Sequence, residues 1–475
     1  MNKLLLFSIL LYCTGIFNAT ASTNISGQIR SNTTWTKAGS PYICTGTVEI
    51  APDAVLTIDP GVTVILQQSN IVVYGSLIMN ATAADSITFK AILMKGDKAY
   101  NIGFDDLAFD NSPLGTYNIQ YCNFDAVGIN FNKNPINLEV SNCRFTGNYG
   151  LVGWSGDSTN YLRVHDNFMS ANIWVGGHSG WRHSGPIEIY DNDFYCAWAN
   201  NTINILAEID TIFIRDNKFR HGGRAIFLMA EATAIITGNV FYDNQEGIHT
   251  PSFNVDYYIA DNVFAANDKA IFLVQNRYAF ATIKHNSIYN NDYGILVNQD
   301  AIGAPTHSVY NVTMDSNCIY DNKISGLCWG VLNNFSIGAN WWGSTDTLDI
   351  DTCIKDFKDD FHLGAITYRP FLPNNSGCKT YTPPTTDIPI VPGKTKKQIT
   401  SYPNPFGHSL TITAGKTDIL AEVVLYNITG VKVAAQASIQ GNTAVINTRQ
   451  LPAGMYIYLA TYADHTTTSG KVLKQ

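Results

Sequence analysis

Arg and His side chains cluster in one short stretch of this chain, IRDNKFRHGGRAIF at residues 214–227, at spacings that suit proton transfer. Removing a proton next to a carboxylate requires a base close to that carbon and cations that stabilise the developing negative charge. Arg and His can fill both roles. We therefore predict Arg220, His221, Arg224 and His249 as candidate catalytic residues.

The same charges also have a structural interpretation. Arg224, Glu246 and Lys269 fall at equivalent positions of successive repeats, so they would stack and neutralise one another. Glycoside hydrolysis, which needs two carboxyl groups at a set separation, has weaker support. The Asp-Asp pairs at 105–106 and 359–360 lie outside the repeating part of the chain, so we interpret them as solvated turn residues.

Aromatic side chains form a second candidate site. In the pattern G/A-I-x-φ the Ile points inward, so the following residue points outward: Phe227, His249, Phe272 and Leu296 in four successive repeats. Trp174 is a further candidate member, with its register left open. An exposed stripe of this kind marks an interaction surface, and aromatic faces stack on sugar rings. Phe227, Phe272 and Trp174 are therefore predicted to bind a glycan, unless a loop or helix covers them.

The segment IWVGGHSGWRHSG at residues 173–185 is a third candidate, because it inserts large side chains where the repeat predicts a turn. Long loops on a regular scaffold often hold ligands. We predict that Trp181 and Arg182 contact a sugar or a carboxylate. His178 and His183 have no acidic residue beside them in sequence, so no metal site is predicted.

A motif that recurs ten times between residues 119 and 342 positions these side chains. It comprises an aliphatic residue, two variable residues, Asn or Cys, one variable residue and a large apolar residue, with a period of about 24 residues. Its fourth position is Cys122, Cys143, Asn167, Asn192, Asn217, Asn239, Asn262, Asn286, Asn317 and Asn340. The alternating apolar residues indicate short strands. The predicted fold is all-β, a right-handed parallel β-helix with strands about 4.8 Å apart in successive coils.

We interpret the repeated Asn as structural. Asn tolerates the left-handed backbone that a turn between strands needs, and stacked Asn side chains can hydrogen-bond from coil to coil. A second column receives the same interpretation: Asn148, Asn172, Asn244, Asn267, Asn291 and Asn322.

The N-terminus has the features of a secretory signal peptide at residues 1–21: Lys3, an apolar stretch and the small-x-small sequence Ala-Thr-Ala at 19–21. Export would place the remaining cysteines in an oxidising compartment. Cys122 and Cys143 occupy the same position in adjacent coils, so we predict a disulfide between them. The net charge of −8 argues against nucleic acid as a partner and leaves polysaccharide, protein or no partner. We expect the protein to be a monomer.

The rest of the chain divides by composition. The β-helix is predicted at 22–372, and a helix near 346–358, capped by Ser344 or Thr345, is predicted to plug its open end. Residues 373–398 are rich in Pro, Thr and Lys and are assigned to a linker. Residues 399–475 show strand-and-turn patterning and form a separate module.

Two regions resemble known families. The opening coils and the segment from NWWG to RPFL, at 340–372, resemble secreted right-handed β-helix proteins of the pectate-lyase-like superfamily, which act mostly on polysaccharides. The motifs YPNPF, LYNITGVKV and LPAGMYIY, at 402–406, 425–433 and 451–458, resemble the C-terminal sorting domain of the type IX secretion system of Bacteroidota. This second resemblance implies a small Ig-like β-sandwich at 399–475.

The sorting-domain resemblance also implies a route. The chain would cross the periplasm, and the outer-membrane translocon and its sorting peptidase would recognise and remove the last module. The passenger would then be secreted or attached to the outer cell surface.

The predicted function is therefore an exported β-helix protein that binds or processes polysaccharide. Binding leads, because the candidate residues do not make up a complete catalytic set. One alternative is a polysaccharide lyase acting on a uronate glycan through Arg220 or Arg224 with His221 or His249, for which Ca²⁺ is the candidate cofactor. Another is a non-catalytic surface or adhesion protein.

Overall fold

The computed structural model describes residues 22–67, 69–91, 100–104, 115–132, 136–147, 150–154, 161–176, 182–183, 185–195, 201–206, 208–251, 255–274, 280–298, 311–383, 399–415, 418–427, 433, 437–462 and 467–475. The predicted signal peptide and the Asp-Asp pair at 105–106 lie outside these residues. The chain forms two compact units, one that extends to Pro383 and one that begins at Pro384.

Three short strands make up each coil of the first unit, and each pairs in parallel with its equivalent in the next coil. Sheet 1 contains Gly115–Gln120, Ile136–Ser141, Leu162–His165, Ile187–Tyr190, Glu208–Arg215, Glu231–Thr237, Val255–Ala260, Phe280–Lys284 and Asn311–Asp315. Sheet 2 contains Cys122–Asp125, Arg144–Thr146, Phe168–Met169, Asp193–Tyr195, Lys218–Arg220, Val240–Tyr242, Val263–Ala265, Ser287–Tyr289 and Cys318–Tyr320. Sheet 3 contains Val127–Asn132, Leu151–Trp154, Ile173–Gly176, Asn201–Leu206, Arg224–Leu228, Glu246–Thr250, Lys269–Val274, Tyr293–Asn298, Ser325–Gly330 and Ile354–Lys355.

The first coils have the same arrangement with longer strands. Thr23–Ile29 and Tyr42–Ile50 run through both sheet 2 and sheet 3. Later strands then divide: Thr63–Leu66 and Ile87–Ala91 join sheet 2, and Ile71–Val73 and Tyr100–Phe104 join sheet 3. Thr33–Trp35, Val55–Ile58 and Ser76–Met79 form a separate parallel sheet, and Lys37–Gly39 is a 3₁₀-helix. The parallel β-solenoid of about ten turns confirms the predicted fold class.

Inward side chains fill the solenoid as continuous rows, because strands in register place equivalent residues over one another. Phe194, Phe219, Phe241 and Phe264 of sheet 2 are fully buried, and their rings stack with centroids 4.9, 5.0 and 4.5 Å apart. Each coil therefore buries apolar surface only by stacking on its neighbours.

The repeated Asn residues form a buried amide ladder, which confirms their predicted structural role. Asn239 is fully buried; its Nδ2 donates to Asn262 Oδ1 at 3.0 Å and to Ile214 O at 2.8 Å. Its Oδ1 accepts from the backbone N and the Nδ2 of Asn217, at 2.9 and 3.0 Å. The same side-chain bonds continue from Asn167 to Asn340. Asn244, Asn267, Asn291 and Asn322 form a second ladder.

The left-handed backbone lies one residue earlier than we expected. The residues with positive φ are those just before the ladder positions, such as Asp191, Asp216 and Asp261, with φ of 54°, 57° and 59°. The prediction that the ladder Asn itself adopts this backbone is wrong. The residue before the Asn makes the turn. The Asn side chain then points along the solenoid axis, where its amide hydrogen-bonds to the ladder Asn of the next coil.

The last coil ends in a helix at Thr347–Cys353, which is shorter than the predicted 346–358. It stops because Ile354–Lys355 pairs with Leu327 and Cys328 as a strand of sheet 3. The N-cap is Asp346, whose side chain accepts from Leu348 N at 2.9 Å, so the predicted Ser344 or Thr345 cap is wrong. Ile350 is fully buried in the solenoid core, as a plug requires. Phe335–Ser336 and Ile366–Thr367 pair in parallel as a separate two-stranded sheet.

The predicted disulfide between Cys122 and Cys143 is also wrong. Both thiols are free and buried, and Cys143 Sγ accepts a hydrogen bond from Cys122 N at 3.4 Å. Side chains stacked in a parallel ladder point in the same direction, whereas a disulfide needs Cβ atoms that face each other. The structure instead joins Cys318 to Cys378.

The second unit is a small two-sheet module. Ile399–Tyr402, Ser409–Ala414, Thr443–Asn447 and Ala437–Gln440 form one antiparallel sheet, and Leu420–Asn427, Gly454–Tyr462 and Thr467–Lys474 form the other. Phe406, Leu410, Ile412 and Tyr462 belong to its fully buried core.

We predict that Asn239→Ala destabilises the β-helix, because it removes one step of the ladder and takes these bonds away from the backbone N of Asn217 and the backbone O of Ile214 on the preceding coil. The free energy of unfolding should fall by about 3 kcal/mol. The measurement is urea unfolding of the full chain followed by circular dichroism. Asn80→Ala, at an exposed position, is the matched control. Equal stability of the two variants would contradict a structural role for the ladder.

Candidate functional site

The outer face of sheet 3 carries the predicted aromatic column, and strand register resolves the position of Trp174. One row of paired residues along this face is Trp174, Asn204, Phe227, His249, Phe272 and Leu296. Trp174 thus belongs to the column, two coils before Phe227. These six side chains alternate with fully buried core residues and are themselves half-buried. The ring of His249 lies 5.3 Å from that of Phe227 and 4.8 Å from that of Phe272.

A parallel row of charged residues lies beside the aromatic column, with Glu246 at its centre. Glu246 Oε2 accepts from Arg224 Nε at 2.9 Å and from His249 Nδ1 at 2.6 Å. Its Oε1 accepts from Lys269 Nζ at 2.8 Å. The stacked charge column is therefore present, and it is linked to the aromatic column through His249.

The environment of Glu246 keeps its carboxyl ionised. Burial by itself raises the pKa of this carboxyl, but hydrogen bonds from His249 and Lys269, together with their charges, outweigh burial and lower the pKa to about 2. Because a carboxylate only accepts hydrogen bonds, His249 donates through Nδ1, and in the neutral ring the lone pair lies on Nε2.

The two cations of this row also contact the aromatic column. The Arg224 guanidinium carbon lies 5.2 Å from the ring centroid of Phe227, and Lys269 Nζ lies 4.6 Å from that of Phe272. These distances are typical of cation–π contacts. The face is therefore an apolar strip bordered by one side-chain network with two cations and one anion.

The other two predicted catalytic residues, Arg220 and His221, lie outside the outer face of sheet 3. Arg220 belongs to sheet 2 and is buried; its Nη2 donates to both carboxylate oxygens of Asp193, at 2.7 and 2.8 Å. His221 occupies the turn between sheets 2 and 3, with φ of 56°, and its Nδ1 lies 2.5 Å from Asp243 Oδ2. A guanidinium whose N–H groups donate to a carboxylate, as those of Arg220 do, is a poor base. The structure thus divides the predicted catalytic residues between two faces.

Comparison with known families identifies both parts of the chain. The family model for the right handed beta helix region matches residues 162–308. The model for the secretion system C-terminal sorting domain matches residues 400–475. The chain therefore contains a right-handed β-helix region and a C-terminal sorting domain. No curated protein matches it. The right-handed β-helix and the sorting domain that the sequence motifs indicated are confirmed, and the sorting domain implies export, whereas membership of the pectate-lyase-like superfamily stays a prediction.

The inserted segment of the β-helix domain is only partly described. Trp181 and His178 lie outside the described residues. Arg182 and His183 form a short strand whose backbone pairs with Glu208 and Ile209. The predicted contact of Trp181 and Arg182 with a ligand remains a prediction.

Sequence reasoning placed Glu246 in a charge column and missed its bond to His249. Residues three apart in a regular strand point to opposite faces, so the spacing of Glu246 and His249 in the strand Glu246–Thr250 did not signal this bond. Sequence reasoning also missed Asn201 and Asn204, which lie in the charged and aromatic rows. Their Oδ1 atoms are buried without a hydrogen-bond partner among the described atoms.

The described residues offer neither a metal-binding cluster nor a membrane-spanning helix. No group of three or more His, Cys, Asp or Glu side chains in this part of the chain could hold a metal ion. Nor does any described helix combine the length and the apolar character needed to cross a membrane.

We predict a pH-dependent effect of Glu246→Gln. The lowered pKa means that ionised Glu246 stabilises the fold above its ordinary value of 4.5, and this stability is lost as the pH falls towards 2. The variant should be about 2 kcal/mol less stable at neutral pH, with the difference shrinking between pH 4.5 and 2. Urea unfolding at several pH values measures it.

Glu188→Gln is the control for this experiment. Glu188 accepts from Arg163 Nε at 2.8 Å on sheet 1, in a more exposed ion pair. We expect Glu188→Gln to lower the free energy of unfolding by about 0.5 kcal/mol or less. A Glu246→Gln effect that is equally small, or independent of pH, would contradict the proposed network.

Proposed function

We propose that this exported β-helix protein binds a polysaccharide along the outer face of sheet 3. The observation that carries the proposal is the half-buried column from Trp174 to Phe272, in which the rings of Phe227, His249 and Phe272 lie one coil apart and that of Trp174 lies two coils before Phe227. A linear glycan lying along the solenoid axis would meet a new outward side chain at every coil. Such a chain gains affinity from several weak contacts in series.

The chemistry of the column suits sugar rings. Aromatic faces provide apolar contact, and the flanking polar groups provide hydrogen bonds that orient a ligand. Asn204 lies between Trp174 and Phe227, and its amide supplies such a group. The cations of Arg224 and Lys269 outnumber the single carboxylate of Glu246, so the face also tolerates an acidic sugar.

We predict that Phe227→Ala and Phe272→Ala each weaken glycan binding about tenfold, as the loss of a central aromatic contact does. A glycan array identifies the ligand, and calorimetry of the full chain with that glycan measures the affinity. Phe213→Ala is the matched control, since Phe213 is also a half-buried outward residue, but on sheet 1. Unchanged affinity in both sheet 3 variants would sink the proposed face. The absence of any array ligand would favour a non-catalytic adhesion role.

A second candidate function, polysaccharide elimination, is favoured by the bond between Glu246 and His249. In this reaction His249 Nε2 takes the proton next to the carboxylate of a uronate, and the bond to the leaving oxygen breaks as the carbon–carbon double bond forms. The leaving oxygen takes a proton from water. Arg224 and Lys269 lie where they could offset the charge of the substrate carboxylate. In this version Arg220 and His221 take no part.

Elimination predicts that His249→Ala abolishes product formation while glycan binding persists. The measurement is the ultraviolet absorbance of the unsaturated product from a panel of uronate polysaccharides. His165→Ala is the control, because His165 on sheet 1 also contacts two carboxylates, Glu139 and Asp166, at 3.3 and 2.8 Å. Equal product from His249→Ala, or none from the unmodified protein, would exclude this mechanism without touching the binding proposal.

The export route completes the proposal. The sorting domain implies interaction with the type IX secretion machinery. We propose that a sorting peptidase removes this domain after passage through the periplasm. The β-helix domain, as a monomer, is then released or held at the outer cell surface.

A further inference from the structure

Residues 374–383, which we assigned to the linker from composition, lie on the outer face of sheet 2 as a strap. The chain leaves the last coil at Leu372, whose N donates to Asn340 O at 2.9 Å, and then turns back along the solenoid. Cys378 is bonded to Cys318, and Lys379 N donates to Ser287 Oγ at 2.6 Å.

The strap continues towards the N-terminal coils. Tyr381 N donates to the hydroxyl of Tyr289 at 2.7 Å, and the Tyr381 ring lies 5.5 Å from that of Tyr242. Lys379 Nζ lies 3.7 Å from Asp261 Oδ1. These contacts cross three coil steps, or about 14 Å along the axis.

The surface beneath the strap differs from the rest of sheet 2. Val263, Ala265 and Tyr289 point outward but are buried, and the rings of Tyr242 and Tyr381 pack against them. An outward apolar patch of this kind on a soluble protein needs a cover. On the preceding coils the same face carries Asp193 and Arg220, which form an ion pair and need none.

We propose that residues 374–383 are a disulfide-locked strap that closes the outer face of sheet 2, and that reduction of the Cys318–Cys378 bond opens it. A dithiol reductant supplies two electrons and two protons, becomes a disulfide itself and leaves two cysteine thiols. Besides the disulfide, the described contacts of the strap include a few hydrogen bonds, an exposed ion pair and the packing of the Tyr381 ring on the apolar patch. Hydrogen bonds and exposed ion pairs add little net stability, so they hold a short segment weakly once the disulfide is reduced. In an oxidising compartment the disulfide keeps the strap on sheet 2 after residues 399–475 are removed.

The test is limited trypsin digestion of the full chain, with cleavage after Lys379 followed by mass spectrometry. Cys378→Ser, and the unmodified protein with dithiothreitol, should be cut at Lys379 about tenfold faster than the oxidised protein, because cleavage tracks the opened population. Cleavage after Arg220, which is buried in sheet 2, is the internal control and should not change. Cys328→Ser, which alters a free cysteine of sheet 3, should behave like the unmodified protein.

Equal cleavage after Lys379 in oxidised and reduced protein would overturn the proposal. Parallel acceleration after Lys379 and Arg220 would overturn it too, because the disulfide would then support the whole solenoid. An apolar dye gives a second readout: its fluorescence should rise on reduction of the unmodified protein and stay constant in Cys378→Ser.

Discussion

The coil-to-coil amide ladder is the constraint on which the rest of this molecule depends. Each ladder Asn satisfies backbone groups of its own coil and of the preceding coil and donates to the Asn side chain of the next coil, so its amide fits only when the coils stack in one register. A slip by one residue would bury an orphaned amide and also turn every side chain of the strand to the other face. The inward aromatic rows and the outward columns are both consequences of that register.

Register also explains why the candidate site is made of rows. A charge at one outward position lies directly over the charge of the next coil, so the row is stable only if the signs alternate. Arg224, Glu246 and Lys269 do so, and Glu246 thereby becomes a buried anion with three donors. The hydrogen bond from His249 to this carboxylate fixes the imidazole ring between Phe227 and Phe272. Structural charge compensation and a chemically useful histidine thus arise from one arrangement.

Much of this could be predicted from the sequence, because the repeat has a short period and each column is a local pattern. The solenoid, the ladder and the outward positions of Phe227, His249 and Phe272 follow from counting residues. What could not be predicted depends on direction or on distant contacts. Cys122 and Cys143 occupy equivalent positions of adjacent coils, but their side chains are parallel and so do not form a disulfide. The partners Cys318 and Cys378 belong to a coil and to a segment that composition marks as a linker.

The Cys318–Cys378 bond also determines how the β-helix responds to a pulling force on its C-terminus. Tension applied beyond Cys378 passes through the two sulfur atoms to Cys318 and bypasses residues 319–377, which include the closing coil and its helix. Those residues carry no load while the disulfide is intact. Mechanical unwinding must then begin inside the solenoid, where two amide ladders hold the coil, and not at its otherwise exposed last turn.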